Sequence, residues 1–152
     1  MKNLILFIFL MNVNYCFSQN IEDIRDIYFT KEVNINKCDS IYNILKLIKN
    51  KNNTLYAYSG ANSLLYCKTI DNVFEKFSYF EKGKNIIEKA IDKEPNNIEI
   101  KFLRYINQMN TPWFLNYKKN IKEDYKFIIS NLDMIKSEKL KNQIITTLKE
   151  YK

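Results

Sequence analysis

The sequence predicts an all-α fold of antiparallel helical hairpins, with about five to six helices. The 152 residues include only two glycines and two prolines, so the turn residues that separate the strands of a β-sandwich or barrel are scarce. Apolar residues recur at spacings of three and four along most of the chain, as they do on one face of a helix. Together these observations favour helices.

The first strong helical pattern follows Asp39-Ser40, since either side chain can cap a helix. The apolar residues after this pair are Ile41, Ile44, Leu45 and Ile48. A second stripe covers residues 55–65 behind Asn53-Thr54, and Gly60 lies inside it. Upstream, we expect residues 19–37 to form a short helix followed by a loop.

The most aromatic pattern lies in a long predicted helix that Asp71 can cap and that ends before Pro95. We expect its apolar side to face the core. That side carries Phe74, Phe77, Phe80, Ile87 and Ile91. Beyond it, Asn96-Asn97 can turn the chain into a further helix over residues 98–109.

The C-terminal part predicts two more helices. Thr111 is a good cap and Pro112 suits the first helical position, so one continuous helix is expected from there to Leu132. Its apolar side comprises Phe114, Tyr117, Ile121, Tyr125, Ile128 and Leu132. Ser137 can cap a terminal helix, whose last lysines complement the helix dipole.

Residues 83–97, Gly-Lys-Asn-Ile-Ile-Glu-Lys-Ala-Ile-Asp-Lys-Glu-Pro-Asn-Asn, resemble the second helix and exit turn of a tetratricopeptide repeat. Gly83 and Ala90 share one face, and Pro95 ends the helix. The resemblance implies a right-handed stack of helical hairpins and a role in protein binding. The chain departs from the repeat because the stretch Lys68–Lys76 intrudes between the hairpin arms and no second repeat follows in strict register.

The N-terminus predicts a secretory signal over residues 1–18. Lys2 is positively charged, and Leu4–Met11 is an unbroken apolar run that is too short to cross a bilayer, which takes about 20 apolar residues. Cleavage after Ser18 would leave a single helical domain, residues 19–152. We therefore expect a periplasmic or secreted protein without a membrane span after cleavage.

Cys16 offers an alternative, because a cysteine after an apolar run can be the lipid-modified residue of a bacterial lipoprotein. Asn14-Tyr15 before it lack the small side chains typical of such signals, which favours simple cleavage. The Ser-Gln junction and the composition are similar to small exported proteins of the Bacteroidota group. After cleavage, Cys38 and Cys67 remain, and they can either pair as a disulfide or stay as buried thiols.

The chain has no histidine, and this excludes several kinds of site at once. Ser-His-Asp and Cys-His nucleophiles and His-ligated zinc are impossible, and no glycine-rich phosphate loop is present. We therefore predict no catalytic residue, cofactor or metal site. Carboxylate chemistry stays formally open at two acidic clusters, Glu22, Asp23 and Asp26 and then Asp92 and Glu94, but both fit helix ends or solvated faces.

Despite the formal charge of +7, we expect no nucleic-acid partner. The lysines of the chain are spread along its whole length and are not gathered in one patch. Only two residues are arginines, Arg25 and Arg104. Arg104 is a candidate for a partly buried ion pair with Glu99, or with Asp124 or Asp92.

Three aromatic residues lie off the strongest apolar stripes or at a turn, and these are the candidates for a partner-binding surface: Tyr79, Tyr105 and Trp113. The sequence thus predicts an exported, non-catalytic adaptor that binds an unidentified protein of the bacterial envelope. The alternatives are a protein that binds a small apolar ligand or a peptide, and an enzyme inhibitor. A carboxylate-dependent hydrolase is a third, weaker alternative.

Overall fold

A computed structural model describes residues 21–151, which form seven α-helices and two 3-10 turns and contain no strand. Helix α1 covers residues 21–28. The other helices are α2 Ile35–Leu47, α3 Asn53–Tyr66, α4 Val73–Lys93, α5 Ile98–Asn110, α6 Ile121–Asn131 and α7 Glu138–Glu150. The all-α prediction is confirmed, although the described residues hold more helices than the five to six expected. The predicted signal, residues 1–18, lies outside the described range.

Asparagine side chains begin four of the helices. Each accepts a hydrogen bond from the backbone N–H three residues later, which satisfies one of the free donors at a helix start. These caps are Asn34, Asn52, Asn72 and Asn97, for α2 to α5 in order. Ser137 caps α7, as predicted. The start predicted at Asp39-Ser40 is wrong, because the Asn34 cap begins α2 already at Ile35.

The two glycines of the sequence meet where α3 packs against α4. A Cβ atom on Gly83 would lie 2.6 Å from the carbonyl oxygen of Gly60, and one on Gly60 would lie 2.7 Å from that of Gly83. Only glycine permits this approach. The predicted close contact at Gly83 is confirmed. The predicted intrusion up to Lys76 is wrong, because α4 is already helical from Val73; the right-handed stacking stays a prediction.

The first turns of α4 are exposed, contrary to the expectation that their aromatic side faces the core. Phe74 is 89% exposed and Phe77 54%, whereas Phe80 is buried. The reason is length: α4 begins ten residues before Gly83, but α3 ends only six residues after Gly60. The first turn of α4 therefore extends past the end of α3 and has no helix to cover it.

The chain is not helical from Thr111 to Leu132 as predicted. The Thr111 hydroxyl donates back to the carbonyl oxygen of Asn107 and closes α5, and a 3-10 turn follows at Trp113–Leu115. Asn116 then adopts the left-handed conformation, with φ of 49°, which asparagine tolerates better than most residues. Helix α6 starts only at Ile121, after this break.

All seven described helices contribute to one hydrophobic core. Its largest fully buried side chains include Ile24, Ile41, Tyr58, Ile87, Phe102, Ile128 and Ile144. Helix α3 lies at the centre, in contact with α2, α4 and α5, and α6 packs on α5. Among the described helices none combines the length and the apolar character that a membrane span requires.

Candidate binding cleft

An open cleft of about 760 Å³ lies where the ends of several helices meet. The segment after α1, the end of α3, the start of α4, the 3-10 turn after α5 and the end of α7 surround it. Its apolar wall includes Tyr28, Leu64, Phe77, Phe80, Ile106 and Leu115. We call this the apolar cleft.

The rim of the apolar cleft exposes further large apolar side chains to solvent. Phe77 lies on the α4 side, and Phe114, which is 66% exposed, lies on the side of the 3-10 turn. Val73 of α4 is also largely exposed there. Both structural differences from the sequence prediction, the overhang of α4 and the break before α6, therefore produce apolar surface at this one place.

The charged residues of the apolar cleft are four lysines and one glutamate. The ammonium of Lys31 lies 3.1 Å from a carboxylate oxygen of Glu150, so these two residues add no net charge to the cleft. Lys37, Lys68 and Lys76 also line the cleft, and none of them lies within 4.0 Å of a carboxylate among the described residues. The wall is therefore apolar and positively charged.

Lys37 is the most enclosed of these lysines, with 8% of its surface exposed. Its ammonium donates to the carbonyl oxygen of Thr30 at 2.7 Å and lies 5.9 Å from the centre of the Tyr28 ring. Burial is the largest effect on the pKa of Lys37 and lowers it; the Cys38 thiol opposes this, and the charge of Lys68 lowers the pKa further. Within residues 21–151, Lys37 is thus a buried cation with no carboxylate beside it.

Arg104 shows how the same fold treats a buried cation elsewhere. Its guanidinium donates two hydrogen bonds to Asp124, at 2.7 and 2.8 Å, and a third to Glu88 at 2.9 Å. Burial alone would lower the pKa of Arg104, but the bonds to Asp124 raise it above its ordinary value. Lys101 lies 3.4 Å from the same carboxylate. A fully buried Asp124 therefore holds two cations between α5 and α6.

The predicted pair of Arg104 with Glu99 is wrong. Glu99 instead accepts two hydrogen bonds from Arg25, at 2.7 and 2.6 Å, and one from the Tyr58 hydroxyl at 2.9 Å. Five positions along a helix are about 140° apart around its axis, so Glu99 and Arg104 leave α5 on different sides. Glu99 faces α1 and α3, and Arg104 faces α4 and α6. Asp124, one of the alternatives considered for Arg104, is its partner.

Of the three aromatic candidates, only Trp113 is fully on the surface. It is 83% exposed, and its ring centre lies 6.2 Å from that of Phe114. Tyr105 is 4% exposed and packs against Tyr125 and Tyr151, so its assignment to a partner-binding surface is wrong. Its side chain fills the space between α5 and the two C-terminal helices.

Tyr79 is half-buried and lines a second cleft of about 650 Å³ between α2, α3 and α4. Its ring centre lies 4.9 Å from that of Tyr66, and the ammonium of Lys82 lies 5.7 Å from it. Tyr42 lines the same cleft, which we call the tyrosine cleft. Tyr79 and Trp113 therefore belong to different surfaces.

Cys38 and Cys67 are both free thiols, so the disulfide alternative is not realised in the structure. The Cys67 sulfur lies 3.3 Å from the carbonyl oxygens of Ser63 and Lys76, at the α3–α4 connection. Burial raises the pKa of Cys67 to about 11. Cys38 is buried on α2, where its thiol behaves as a small core residue.

The acidic clusters of the sequence form ordinary ion pairs and caps. Asp26 pairs with Lys139 at 2.6 Å, and Glu94 accepts hydrogen bonds from Asn53 and Asn97. In the described part of the chain, no group of three or more Cys, Asp or Glu side chains is arranged to hold a metal ion. Glu22 contacts Arg25, so Glu22, Asp26 and Glu94 each have a structural partner.

No model of a known protein family matches the chain, and no curated protein or solved structure matches it either. The geometry of the clefts therefore has to carry the functional argument.

Sequence reasoning missed Lys37, Phe77 and Phe114 as candidate site residues. One signal for Lys37 was present: it lies four positions before Ile41 and so extends the apolar stripe of α2 by one turn. A lysine in line with a core stripe is brought against the core if the helix starts early enough. The start predicted at Asp39-Ser40 leaves Lys37 outside the helix and therefore hides this signal.

Proposed function

We propose that this protein is a binding module of the bacterial envelope and not an enzyme, and that it holds an apolar segment of a partner protein in the apolar cleft. The exported location follows from the predicted signal over residues 1–18. The predicted absence of imidazole-based chemistry follows from the lack of histidine. Protein binding is also the role that the tetratricopeptide resemblance implies.

The observation that carries this proposal is the exposed apolar surface around the cleft. Phe77, Phe114 and Trp113 have the size and character of core residues, yet more than half of each is exposed. Contiguous exposed apolar surface on a soluble domain commonly marks a place where another molecule binds. Aromatic side chains are also enriched at protein interfaces, and Trp is among the residues that most often dominate the binding energy.

An extended or helical protein segment fits an open cleft better than a small apolar molecule does. Pockets for small ligands cover most of the ligand surface, whereas a segment laid in a groove keeps one side in water. The apolar surface also continues outside the cleft, from Phe114 to the adjacent Trp113 and from Phe77 to Phe74 one turn earlier on α4. A partner larger than a metabolite would cover both.

Affinity capture from native envelope extract tests this function. The bait is the mature protein, residues 19–152, and the cleft variant carries Phe77→Ser with Phe114→Ser. Leu47→Ser is the matched control, because Leu47 is 82% exposed on α2 and lines neither cleft. We expect a partner that wild type and control retain and that the folded cleft variant loses.

The same preparation also tests the alternative. Mass spectrometry of an organic extract of the purified protein would detect a co-purified small apolar molecule, since the volume of the cleft lies within the range of ligand pockets. A stoichiometric apolar molecule, with no partner lost by the cleft variant, would replace the protein-binding proposal with a ligand-binding one.

A further inference from the structure

The described residues contain four buried cations, and one of them differs from the others. Arg25 pairs with Glu99, and Arg104 and Lys101 pair with Asp124. Lys37 is as buried as these three, but no carboxylate of the described residues lies within 4.0 Å of it. Buried charges in proteins are almost always paired, because leaving water without a partner is costly.

From this contrast, and resting on the proposed function, we propose that Lys37 binds a carboxylate of the partner, so that the segment held in the apolar cleft is apolar and acidic. The ammonium already donates one hydrogen bond, to the carbonyl oxygen of Thr30. Because an ammonium has three donors, it can bind a carboxylate as well. Lys37 lines the cleft, so an acid there would be within its reach.

Two more lysines extend the same preference along the cleft. Lys68 follows α3 and Lys76 lies in the first turn of α4, and both side chains are exposed. Burial is the main cause of the lowered pKa of Lys37, and the charge of Lys68 adds a smaller effect in the same direction. A bound carboxylate would reduce this repulsion between like charges. Among the described residues that line the cleft, Glu150 is the one acid, and it is already paired with Lys31.

The occupant to which these features point is an acidic amphipathic segment of a protein. A fatty acid would also present one carboxylate and an apolar chain, but it would leave the separate charges of Lys68 and Lys76 without partners. A segment with two or three acidic side chains around an apolar anchor matches both the spread of lysines and the exposed Phe77 and Phe114.

Peptide selection tests this inference with a defined probe. A library of random 12-residue peptides displayed on phage is selected against the immobilised mature protein, and the best peptide is measured by fluorescence anisotropy. We expect selected sequences rich in both large apolar residues and Asp or Glu. Lys37→Gln should weaken the best peptide about 10-fold or more, as expected for loss of a charged hydrogen bond.

Lys46→Gln is the matched control, because Lys46 is an exposed lysine on the same helix that does not line this cleft. It should change the affinity less than about twofold, as is usual for a charge outside the contact. If Lys37→Gln unfolds, Lys37→Met replaces it in the binding measurement, because methionine keeps the apolar stem of the lysine side chain. Both variants are compared with wild type by circular dichroism before binding is measured.

The failures of the two proposals are distinguishable. Apolar peptides without acidic residues, bound equally by wild type and Lys37→Gln but lost by Phe77→Ser with Phe114→Ser, would overturn the role of Lys37 and leave the proposed function standing. If the selected peptides bind the cleft variant as tightly as wild type, or if no peptide is selected, both the proposed function and the role of Lys37 would be overturned. Dodecanoate that binds more tightly than every selected peptide would overturn the protein partner in favour of a fatty acid.

Discussion

Two regions of this protein enclose positive charge in different ways. Between α5 and α6, Arg104 and Lys101 surround Asp124, and every charge has a partner within the chain. In the apolar cleft, Lys37 is equally enclosed, and its partners in the described part of the chain are a carbonyl oxygen and an aromatic ring. The first arrangement is complete and stabilises the fold. The second is incomplete, which is expected where the missing group belongs to another molecule.

The largest effect should come from breaking the complete arrangement. Asp124→Asn leaves Arg104 and Lys101 buried without their shared carboxylate, so we expect a loss of about 3–5 kcal/mol in the free energy of unfolding. Urea denaturation at neutral pH measures it. Glu123→Gln is the control, because Glu123 is next in the chain and mostly exposed, and it should cost less than about 1 kcal/mol. Equal losses of unfolding free energy for Asp124→Asn and Glu123→Gln would contradict the special role of the buried carboxylate.

A smaller loss is expected at the second complete arrangement. Glu99→Gln removes the carboxylate that Arg25 and Tyr58 share, but Arg25 keeps its contact with Glu22 at the surface. We expect a destabilisation of about 2 kcal/mol, within the range for a hydrogen bond to a charged group. The same urea titration measures it. A variant as stable as wild type would show that this pair contributes nothing net.

At Lys37 the expected sign is different. Lys37→Met keeps the apolar stem and removes a buried charge without an anionic partner, so stability should stay equal or rise by up to about 1 kcal/mol. The Thr30 carbonyl that loses its donor belongs to an exposed residue and can bond water instead. Thermal and urea unfolding, read together, measure the change. A loss of more than about 2 kcal/mol in the free energy of unfolding would show that the Lys37 ammonium stabilises the fold.

The smallest effect concerns pH. The pKa of Lys37 is lower in the folded protein than its ordinary value of 10.5, so the folded state binds fewer protons than the unfolded state between those two values. The contribution of Lys37 to the free energy of unfolding therefore rises as the pH increases between the folded pKa and 10.5. It reaches its full value above pH 10.5. The unfolding free energy of wild type should therefore rise relative to that of Lys37→Met as the pH approaches 10.5, so any advantage of the variant at neutral pH should shrink or disappear.

Lys68→Gln sharpens the pH experiment. Removing the charge of Lys68 should move the pKa of Lys37 back toward its ordinary value and narrow the window in which stability rises. The other groups that face Lys37 are Cys38 and Tyr28, and both remain in this variant. A pH window of unchanged width would show that the charge of Lys68 does not contribute to the pKa of Lys37.

The sequence predicted most of the fold because periodicity and caps are local. The stripes around Ile41, Leu55 and Ile87 and the Ser137 cap identified their helices correctly. The helix ends were less accurate, because Asn34 and Asn72 compete with neighbouring aspartate or serine as caps, and the choice depends on packing. The break at Asn116 was missed because the apolar spacing continues through it.

The candidate site was harder to predict because it consists of departures from local pattern. Phe74 and Phe77 lie in the apolar stripe of α4, and their exposure depends on where α3 ends: Phe77 is level with the last residue of α3, and Phe74 lies beyond it. The partners of Arg104 and Glu99 depend on which helices lie beside α5. Whether a carboxylate of residues 21–151 lies beside Lys37 depends on the whole cleft, and no spacing in the sequence indicates it.

The most direct test of the account is the pKa of Lys37 itself, measured by NMR from the side-chain carbon shifts of labelled lysines with and without the best selected peptide. Lys37→Met identifies the signal. We predict a pKa below 10.5 in the free protein and a rise when the peptide carboxylate binds. An ordinary pKa that saturating peptide leaves unchanged would contradict the claim that this buried charge is completed by a partner.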